Sequence, residues 1–473
     1  MKKLKNNYEV IVLGSGVAGH SCVVKCAELG LDTLCIDVSN YDQIYNNHST
    51  NFENLSIIAL LESAKLYETI AYTANKHGIY TDNIAINLHE MVARKNAILE
   101  DVNKCLINTI KQLKIDFINT DARLLSTGAV QVSSRANEAV DVKYANHIVL
   151  ATDSLPITLP CAAIDNKFIL DSTASLNLQE IPKSIAILGA GIIGLEIAGI
   201  WNRLGTRIII LEAQDSFLNV TDHQISSIAY QIFSEQDLEI RLGTRVISTK
   251  VINSKVVVEF QDSEGTHAIK VDKLIVASGR RPNSEKIAAP EANLLLDEHG
   301  FVHTNEKYKT NLPNVYAIGD LTMHGPMLSH KGIAEGHYIA ERLAGLTVNP
   351  INYNTIPSII YTEPEIAWVG KSEQTLKSMG ESITSSTYLI NNNFKAKAIN
   401  KTSGVIKLIT SSISDEILGA HAIGAFASEI IAEAALAIEF SANREDLTRA
   451  IHSHPSLNEA YYEVGLLSRN TYS

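Results

Sequence analysis

Cysteine is scarce in this 473-residue chain, with five thiols (Cys22, Cys26, Cys35, Cys105 and Cys161) that are odd in number and irregularly spaced. That excludes a disulfide-stapled scaffold and any C-x-x-C zinc pair, and it fits a reducing compartment; no metal site is expected. Positive charge is also short: 40 Lys and Arg stand against 52 Asp and Glu, a net charge of −12 at pH 7. Nothing here builds the basic stripe that neutralises nucleic-acid phosphates. No apolar run approaches the roughly 20 residues needed to span a bilayer. The first residues run straight into the strand-like Val10–Leu13, leaving no space for a signal h-region or an arginine-rich transit segment. The expectation is a soluble cytoplasmic protein with no nucleic-acid and no membrane partner. At roughly 150 residues per domain, the length suggests about three domains.

What is present is one plan written twice. An apolar strand ending at Leu13 is followed by GSGVAG (Gly14, Gly16 and Gly19), a helical stretch and a second apolar strand ending in Asp37. Ser184–Leu188 is followed by GAGIIG (Gly189, Gly191 and Gly194), a helical stretch and a strand ending in Glu212. The acid follows the first glycine by 23 positions in both copies, from 14 to 37 and from 189 to 212. Strand, glycine turn, helix, strand and acid make the full dinucleotide fingerprint. The first glycine permits the turn, the second lets backbone amides approach a pyrophosphate, and the third lets helix pack on strand. The helix N-terminus then offers unpaired N–H groups and partial positive charge. Glu212 would bind both ribose hydroxyls and repel a 2′-phosphate, which points to NAD rather than NADP.

Between the copies, Leu88, Val92, Leu99, Val102, Leu106, Ile110 and Leu113 recur at helical spacing and read as a core-facing stripe. Strands are expected around His147–Ala151, Val256–Phe260 and Leu274–Ala277, the last closing on Gly279-Arg-Arg-Pro-Asn283. From about residue 347 the pattern changes to strand runs and an alanine-rich helix over Ser428–Phe440.

Several stretches together name a family: GAGIIGLEIAGIWNRLG (189–205), GRRPN (279–283), VYAIGD (315–320), GPMLSHK (325–331), YTEPEIAWVGK (361–371) and HSHPSLNEA (452–460). The chain resembles the flavin- and nicotinamide-dependent disulfide reductases, the dihydrolipoamide dehydrogenase group among them. The resemblance implies an α/β fold with two Rossmann-like dinucleotide-binding domains and a C-terminal α+β dimerisation domain. Its boundaries would be 1–152 and 281–346 for FAD, 153–280 for NAD, and 347–473 for dimerisation. Gly14, Gly16, Gly19 and Asp37 would hold the adenosine diphosphate half of FAD, with Thr152 and Ser154 beside it. Asp320, ending an apolar strand, would hold the ribitol chain. A helix opening at Met327, with Leu328, Ser329 and His330, would point its N-terminus at the flavin ring. Gly189, Gly191, Ile193, Gly194, Glu212 and Val246 would hold NAD, with Glu196 near the nicotinamide and Gly279 closing the pocket. His454 and Glu459 match the family's acid–base pair, Pro455 suiting the first helical position and Glu459 reaching back one turn to the imidazole. A carboxylate-paired imidazole suits proton transfer near neutral pH. The resemblance also implies a homodimer, His454 of one subunit completing the site of the other, and docking on a 2-oxoacid dehydrogenase complex.

The sequence departs from the pattern where the chemistry is sharpest. The family relays electrons through two cysteines five apart, preceded by two glycines and followed by Pro-Ser-Lys. Counting back from the helix Ala59–Tyr67, those cysteines fall on Ser49 and Asn54, the glycines on Asn46 and Asn47, the proline on Ser56 and the lysine on Ile58. No shift of register finds sulfur, because no cysteine lies between Cys35 and Cys105. A serine hydroxyl cannot form a dithiol–disulfide couple. Cys22 and Cys26 read as small apolar packers on a helix, Cys35 belongs to a strand and Cys105 to the long stripe. The family's Ala-Thr-Gly-Ser turn reads Ala151-Thr152-Asp153-Ser154, adding a side chain and a charge at a close approach to FAD. Without a lysine at position 58, Glu196 is expected to be buried and unpaired, and so to protonate or draw in water. The expected activity is hydride exchange between NAD(H) and FAD with the thiol step lost. The alternative is a non-catalytic dimeric paralogue that binds nucleotides, regulates or docks.

Overall fold

An apolar run with no polar alternation suits a parallel strand covered on both faces, and the computed structural model puts Asn7–Leu13 at the centre of such a sheet. The structure describes residues 4–38, 52–133 and 140–467, so Asn46, Asn47 and Ser49 lie outside the described residues. The chain forms two units, one of residues up to 55, 95–156 and 280–353, the other of 56–94, 157–279 and 354 onward.

In the first unit, Asp116–Asn119, Thr33–Asp37, Asn7–Leu13 and Val140–Leu150 lie side by side and parallel. Val315–Ala317 runs parallel to the last three residues of Val140–Leu150, while the start of that strand pairs antiparallel with Ala129–Ser133. Side chains alternate across the sheet. Ile11 and Leu13 enter one core with Leu34, Ile36, Ile148 and Leu150, and Val10 and Val12 enter the other with Cys35 and Val149. The helix Val17–Glu28 leaves the first glycine turn and packs on the helix Ser329–Leu343. Glycines set that spacing: a Cβ on Gly336 would lie 2.8 Å from Ala18 O and 2.9 Å from Cys22 N. Cys22 and Cys26 fill this close pass as buried small side chains, as expected. Their mutual hydrogen bond, with burial, holds the Cys22 thiol well above its ordinary range.

In the second unit, Glu239–Arg241, Arg207–Leu211, Ser184–Leu188, Lys273–Val276 and Ile169–Asp171 form an all-parallel sheet in that order. An antiparallel meander of Arg245–Ile252, Lys255–Asp262 and Gly265–Val271 stands beside it in sequence. The C-terminal part is a five-stranded antiparallel sheet, with Ile417–Gly424 at its centre and the helix Ala427–Glu439 packed against it. The fold class is therefore α/β, with two glycine-turn sheets and a C-terminal α+β part.

The helix Leu88–Gln112 is as long as its periodicity suggests, but its stripe is not all core. Leu88 and Val92 are buried, whereas Leu99, Val102, Leu106, Ile110 and Leu113 are half-buried. Among the described residues no helix is long and apolar enough to cross a membrane.

Candidate functional site

The glycine turn of the second unit is built as its spacing demands. Gly189 has φ +105°, and a Cβ there would meet Ala277 O at 2.5 Å. Gly194 lies so close under Gly189 O that any side chain would overlap it. Gly191 caps the helix Ile192–Arg203 and faces open space, with no heavy atom within 4 Å of a Cβ built on it. Ile193 is half-buried in the first turn of that helix. Glu212 follows the strand Arg207–Leu211, and its carboxylate accepts the Ala190 N–H at 2.8 Å and the Gln214 N–H at 2.8 Å. The acid is thus turned toward the glycine turn. Gly279 follows the neighbouring strand at φ +119°, and Val246 lies at the start of the meander beside a register shift. Open cradle, helix N-terminus and terminal acid fit the diphosphate and ribose of a dinucleotide.

Glu196, one turn into the same helix, is buried as expected but is not left unpaired: its Oε1 accepts the Tyr361 N–H at 2.9 Å. The missing lysine is offset by a backbone donor from the start of YTEPEIAWVGK, far along the chain.

The turn of the first unit repeats this geometry. Gly14 has φ +109°, with Ala151 O against it, and Gly19 lies under Gly14 O. Asp37 is 1% exposed and accepts the Asn119 side-chain N–H at 2.9 Å. The Thr152 hydroxyl donates to Asn283 O at 2.7 Å. The Ser154 hydroxyl donates to Asp320 Oδ2 at 2.5 Å, and Arg280 donates to both Ser154 Oγ (2.7 Å) and Ser154 O (2.8 Å). Turn, helix and polar rim fit a dinucleotide here too, with one exception. Asp153 carries its carboxylate directly against Gly16, the N-cap of the helix. Burial first, then the charge of Asp320, pushes that carboxyl up to about 7.

Two expected positions shift. Asp320 is not the end of a strand: the strand stops at Ala317, and Asp320 lies in the 3-10 turn Gly319–Leu321 because Gly319 (φ +69°) breaks the extended backbone. The helix expected at Met327 begins at Ser329, since Leu328 is still extended at φ −127°, ψ +137°. Met327 and Leu328 are half-buried before it, and Ser329 and His330 are exposed in its first turn.

Sequence reasoning missed the buried support beneath this rim. Lys331 donates to Gly319 O and His324 O, both at 2.9 Å, and Glu335 accepts the Gly319 N–H at 2.6 Å and the Tyr353 hydroxyl at 2.6 Å. Burial, outweighing Lys331, raises the Glu335 carboxyl. Arg280 also holds Glu53 at 2.7 Å. Lys331 and Arg280 lie inside motifs already singled out, which was the available signal.

The C-terminal histidine keeps its partner. His454 Nδ1 lies 2.7 Å from Glu459 Oε1, and Glu459 Oε2 accepts the Ser456 N–H at 2.8 Å. That amide and His454 hold the Glu459 carboxyl below its ordinary range. Pro455 is not the first helical residue. The His454–Pro455 bond is cis, and the helix starts at Glu459, so Glu459 reaches His454 from the helix end rather than from one turn in. The His454 side chain is 63% exposed. Neighbouring His452 is tied to Glu433 at 2.7 Å.

All five cysteines are free. Cys22, Cys26 and Cys35 are buried, Cys161 is half-buried and Cys105 is exposed on the long helix. Asn54 opens the exposed side of the helix Glu53–Glu68, with Ser56 buried and Ile58 half-buried behind it. Among the described residues no group of three or more His, Cys, Asp or Glu could hold a metal ion.

Comparison with known proteins agrees with this geometry. Residues 8–336 match the family described as pyridine nucleotide-disulphide oxidoreductase, and residues 356–464 match its dimerisation domain. A dihydrolipoyl dehydrogenase of Cupriavidus necator is 32% identical over 469 residues, covering 98% of each chain. The human mitochondrial dihydrolipoyl dehydrogenase is 34% identical over 465 residues, covering 97% of this chain and 90% of that one. Among solved structures, LpdA of Mycobacterium tuberculosis superposes with a TM-score of 0.87 at 19% identity, covering 97% of this chain and 99% of that one. The HOCl-induced flavoprotein disulfide reductase RclA of Escherichia coli, in its Cu(II) complex, gives 0.85 at 23%, covering 98% and 100%. With the two matched segments spanning nearly all of its length, the chain belongs to the pyridine nucleotide-disulphide oxidoreductases, enzymes that work with FAD and NAD(H).

Proposed function

We propose that this protein is a flavin-dependent NADH oxidoreductase that exchanges hydride between NAD(H) and FAD and has lost the thiol–disulfide step. One observation carries the reading: no cysteine lies between Cys35 and Cys105, while the second cradle keeps its three glycines and its terminal acid. The NAD half is assigned to 153–280, with Gly189, Gly191, Gly194 and Glu212 as its binding residues. The FAD half is assigned to 1–152 and 281–346, with Gly14, Gly16, Gly19, Asp37, Ser154 and Asp320. Residues 347–473 are assigned to a homodimer contact. Bound FAD supplies a ring that takes two electrons and a proton from reduced nicotinamide. The residues of this chain orient and exclude. Glu212 fixes the ribose end, Glu196 is held in place by the Tyr361 amide, and Arg280 and Asp320 lock Ser154. His454 carries its proton on Nδ1 toward Glu459, which leaves Nε2 as the atom that takes or gives a proton. Electrons leave to an acceptor other than a protein disulfide, such as a quinone. Free, mostly buried thiols agree with a cytoplasmic setting.

Asp153 favours a second reading, a dimeric non-catalytic paralogue that binds NAD(H) and docks on a larger assembly such as a 2-oxoacid dehydrogenase complex. A single preparation separates them. A yellow protein whose flavin bleaches under anaerobic NADH, with no lipoamide-dependent NADH oxidation, is the expected result. A colourless protein that takes up no FAD selects the second reading. Lipoamide-dependent turnover that substitution of one of the five cysteines abolishes rejects the loss of the thiol step.

A further inference from the structure

The two glycine turns are one backbone built twice, and they differ at the residue that closes them. The strand Lys273–Val276 runs on into Ala277-Ser278-Gly279, and the strand Val140–Leu150 into Ala151-Thr152-Asp153. In each, the alanine carbonyl closes on the first glycine, Ala277 on Gly189 and Ala151 on Gly14. The closing residue has positive φ in both, +119° at Gly279 and +59° at Asp153. Glycine takes that backbone freely, whereas aspartate brings a carboxylate with it. The Asp153 carboxylate lies so close to Gly16 that a methyl group there would overlap it, while Gly191 faces open space. Gly16 is the N-cap of its helix, where N–H groups and partial positive charge favour an anion. We infer that Asp153 is a gate on the first cradle: its carboxylate holds the anion position over Gly16, and a diphosphate dinucleotide enters only when that side chain is neutral or displaced. The inference rests on the flavin reading above and sets a condition on it.

The surrounding charges give the gate its sign. Burial is the largest influence on Asp153; Asp320 from the 3-10 turn and Asp37 from the strand Thr33–Asp37 add negative charge, and Arg280 from the strand Arg280–Pro282 opposes it. Arg280 is already engaged by Glu53 and Ser154. Burial, Asp320 and Asp37 outweigh Arg280 and push the carboxyl up to about 7. Above that pH the gate is an anion repelling an anion. A ligand restricted to the neutral form loses about ten-fold in affinity per pH unit beyond the titration.

The test is FAD binding to cofactor-stripped protein, followed by quenching of flavin fluorescence at pH 6 and pH 8. The native chain is compared with Asp153→Gly and Asp153→Asn, both compatible with positive φ. The native chain is expected to bind FAD roughly ten-fold more weakly at pH 8 than at pH 6. Both variants are expected to bind equally at the two pH values, and at pH 8 more tightly than the native chain. Without FAD, the melting temperature of the native chain should fall relative to Asp153→Asn between pH 6 and pH 8, because a raised carboxyl stabilises the fold only while protonated. Equal affinity of the native chain and Asp153→Gly at pH 8 overturns the gate and leaves the flavin reading standing. No FAD uptake by any of the three at either pH overturns both.

Discussion

Gly191→Ala separates what the second cradle does for the fold from what it does for a ligand. Gly191 has φ −80° and ψ −176°, a conformation any L-residue adopts, and nothing lies within 4 Å of the added methyl. Losing glycine's freedom in the unfolded chain stabilises by about 0.4–1 kcal/mol. Alanine is a poorer helix N-cap than glycine, by a similar amount of roughly 0.5–1 kcal/mol. The two nearly cancel, so the melting temperature should stay within about 3 °C of the native protein. Binding has no such compensation. The methyl stands where helix amides must reach a pyrophosphate, and displacing one charge-assisted hydrogen bond costs about 1.5–3 kcal/mol. That is roughly 10- to 150-fold in the dissociation constant for NADH, read from the fluorescence of the bound nicotinamide. Gly194→Ala is the contrasting control, because its methyl would overlap Gly189 O and should cost stability outright. Unchanged NADH affinity in Gly191→Ala would show that no pyrophosphate sits there. A drop of many degrees in its melting temperature would show that the open space is not open.

Two further outcomes follow from other residues. Glu212→Ala removes the acceptor of the Ala190 and Gln214 amides, so NADH binding should weaken and any preference over NADPH should narrow; a native protein that already prefers NADPH rejects the ribose assignment. Asp222 caps the helix His223–Glu235 and accepts from the Glu373 N–H and from Lys407, itself only 5% exposed. Asp222→Ala removes the helix cap and one of the two carboxylates on Lys407, whose ammonium keeps Glu373 at 2.6 Å, and should cost about 1–3 kcal/mol in denaturant unfolding. Despite its burial, Asp222 is held below its ordinary range by these donors, so its contribution is present at neutral pH and lost on acidification. A flat difference between native and Asp222→Ala stability from neutral pH into acid would contradict this.

The features legible in the sequence are those fixed by near neighbours. Glycine turn, helix and acid lie within a few dozen residues of one another, so strand pattern and spacing placed both cradles, and His454 and Glu459 were read together because five positions separate them. The misses are long-range or geometric. Glu196 meets an amide 165 positions away, and Arg280 meets Glu53 across 227. Neither pairing leaves a periodic trace. The Leu88–Leu113 stripe shows the limit of periodicity itself: an apolar face specifies a helix, but the depth of its burial depends on what packs over it. VYAIG is apolar throughout and reads as a strand running to Asp320, but the positive φ of Gly319 ends the strand at Ala317.

Asp153 joins both kinds of information. That an aspartate replaces a glycine is visible in four letters, and that the position needs positive φ follows from the matching Gly279 in the other copy. Where its carboxylate goes is not visible, because Gly16 lies far back along the chain. The second copy then acts as an internal control that the fold supplies for itself. Both turns have a first glycine at positive φ, a capping second glycine and a buried third, so the two backbones match up to the closing residue, at φ +119° in Gly279 and +59° in Asp153. Each turn has a terminal acid, Glu212 in one, held by the Ala190 and Gln214 amides, and Asp37 in the other, held by the Asn119 side chain. At the helix N-terminus the difference is one carboxylate, an acid group supplied by the protein where a diphosphate would otherwise sit. The turn that kept its closing glycine is open to ligand, and the turn that lost it carries a competitor within its own chain.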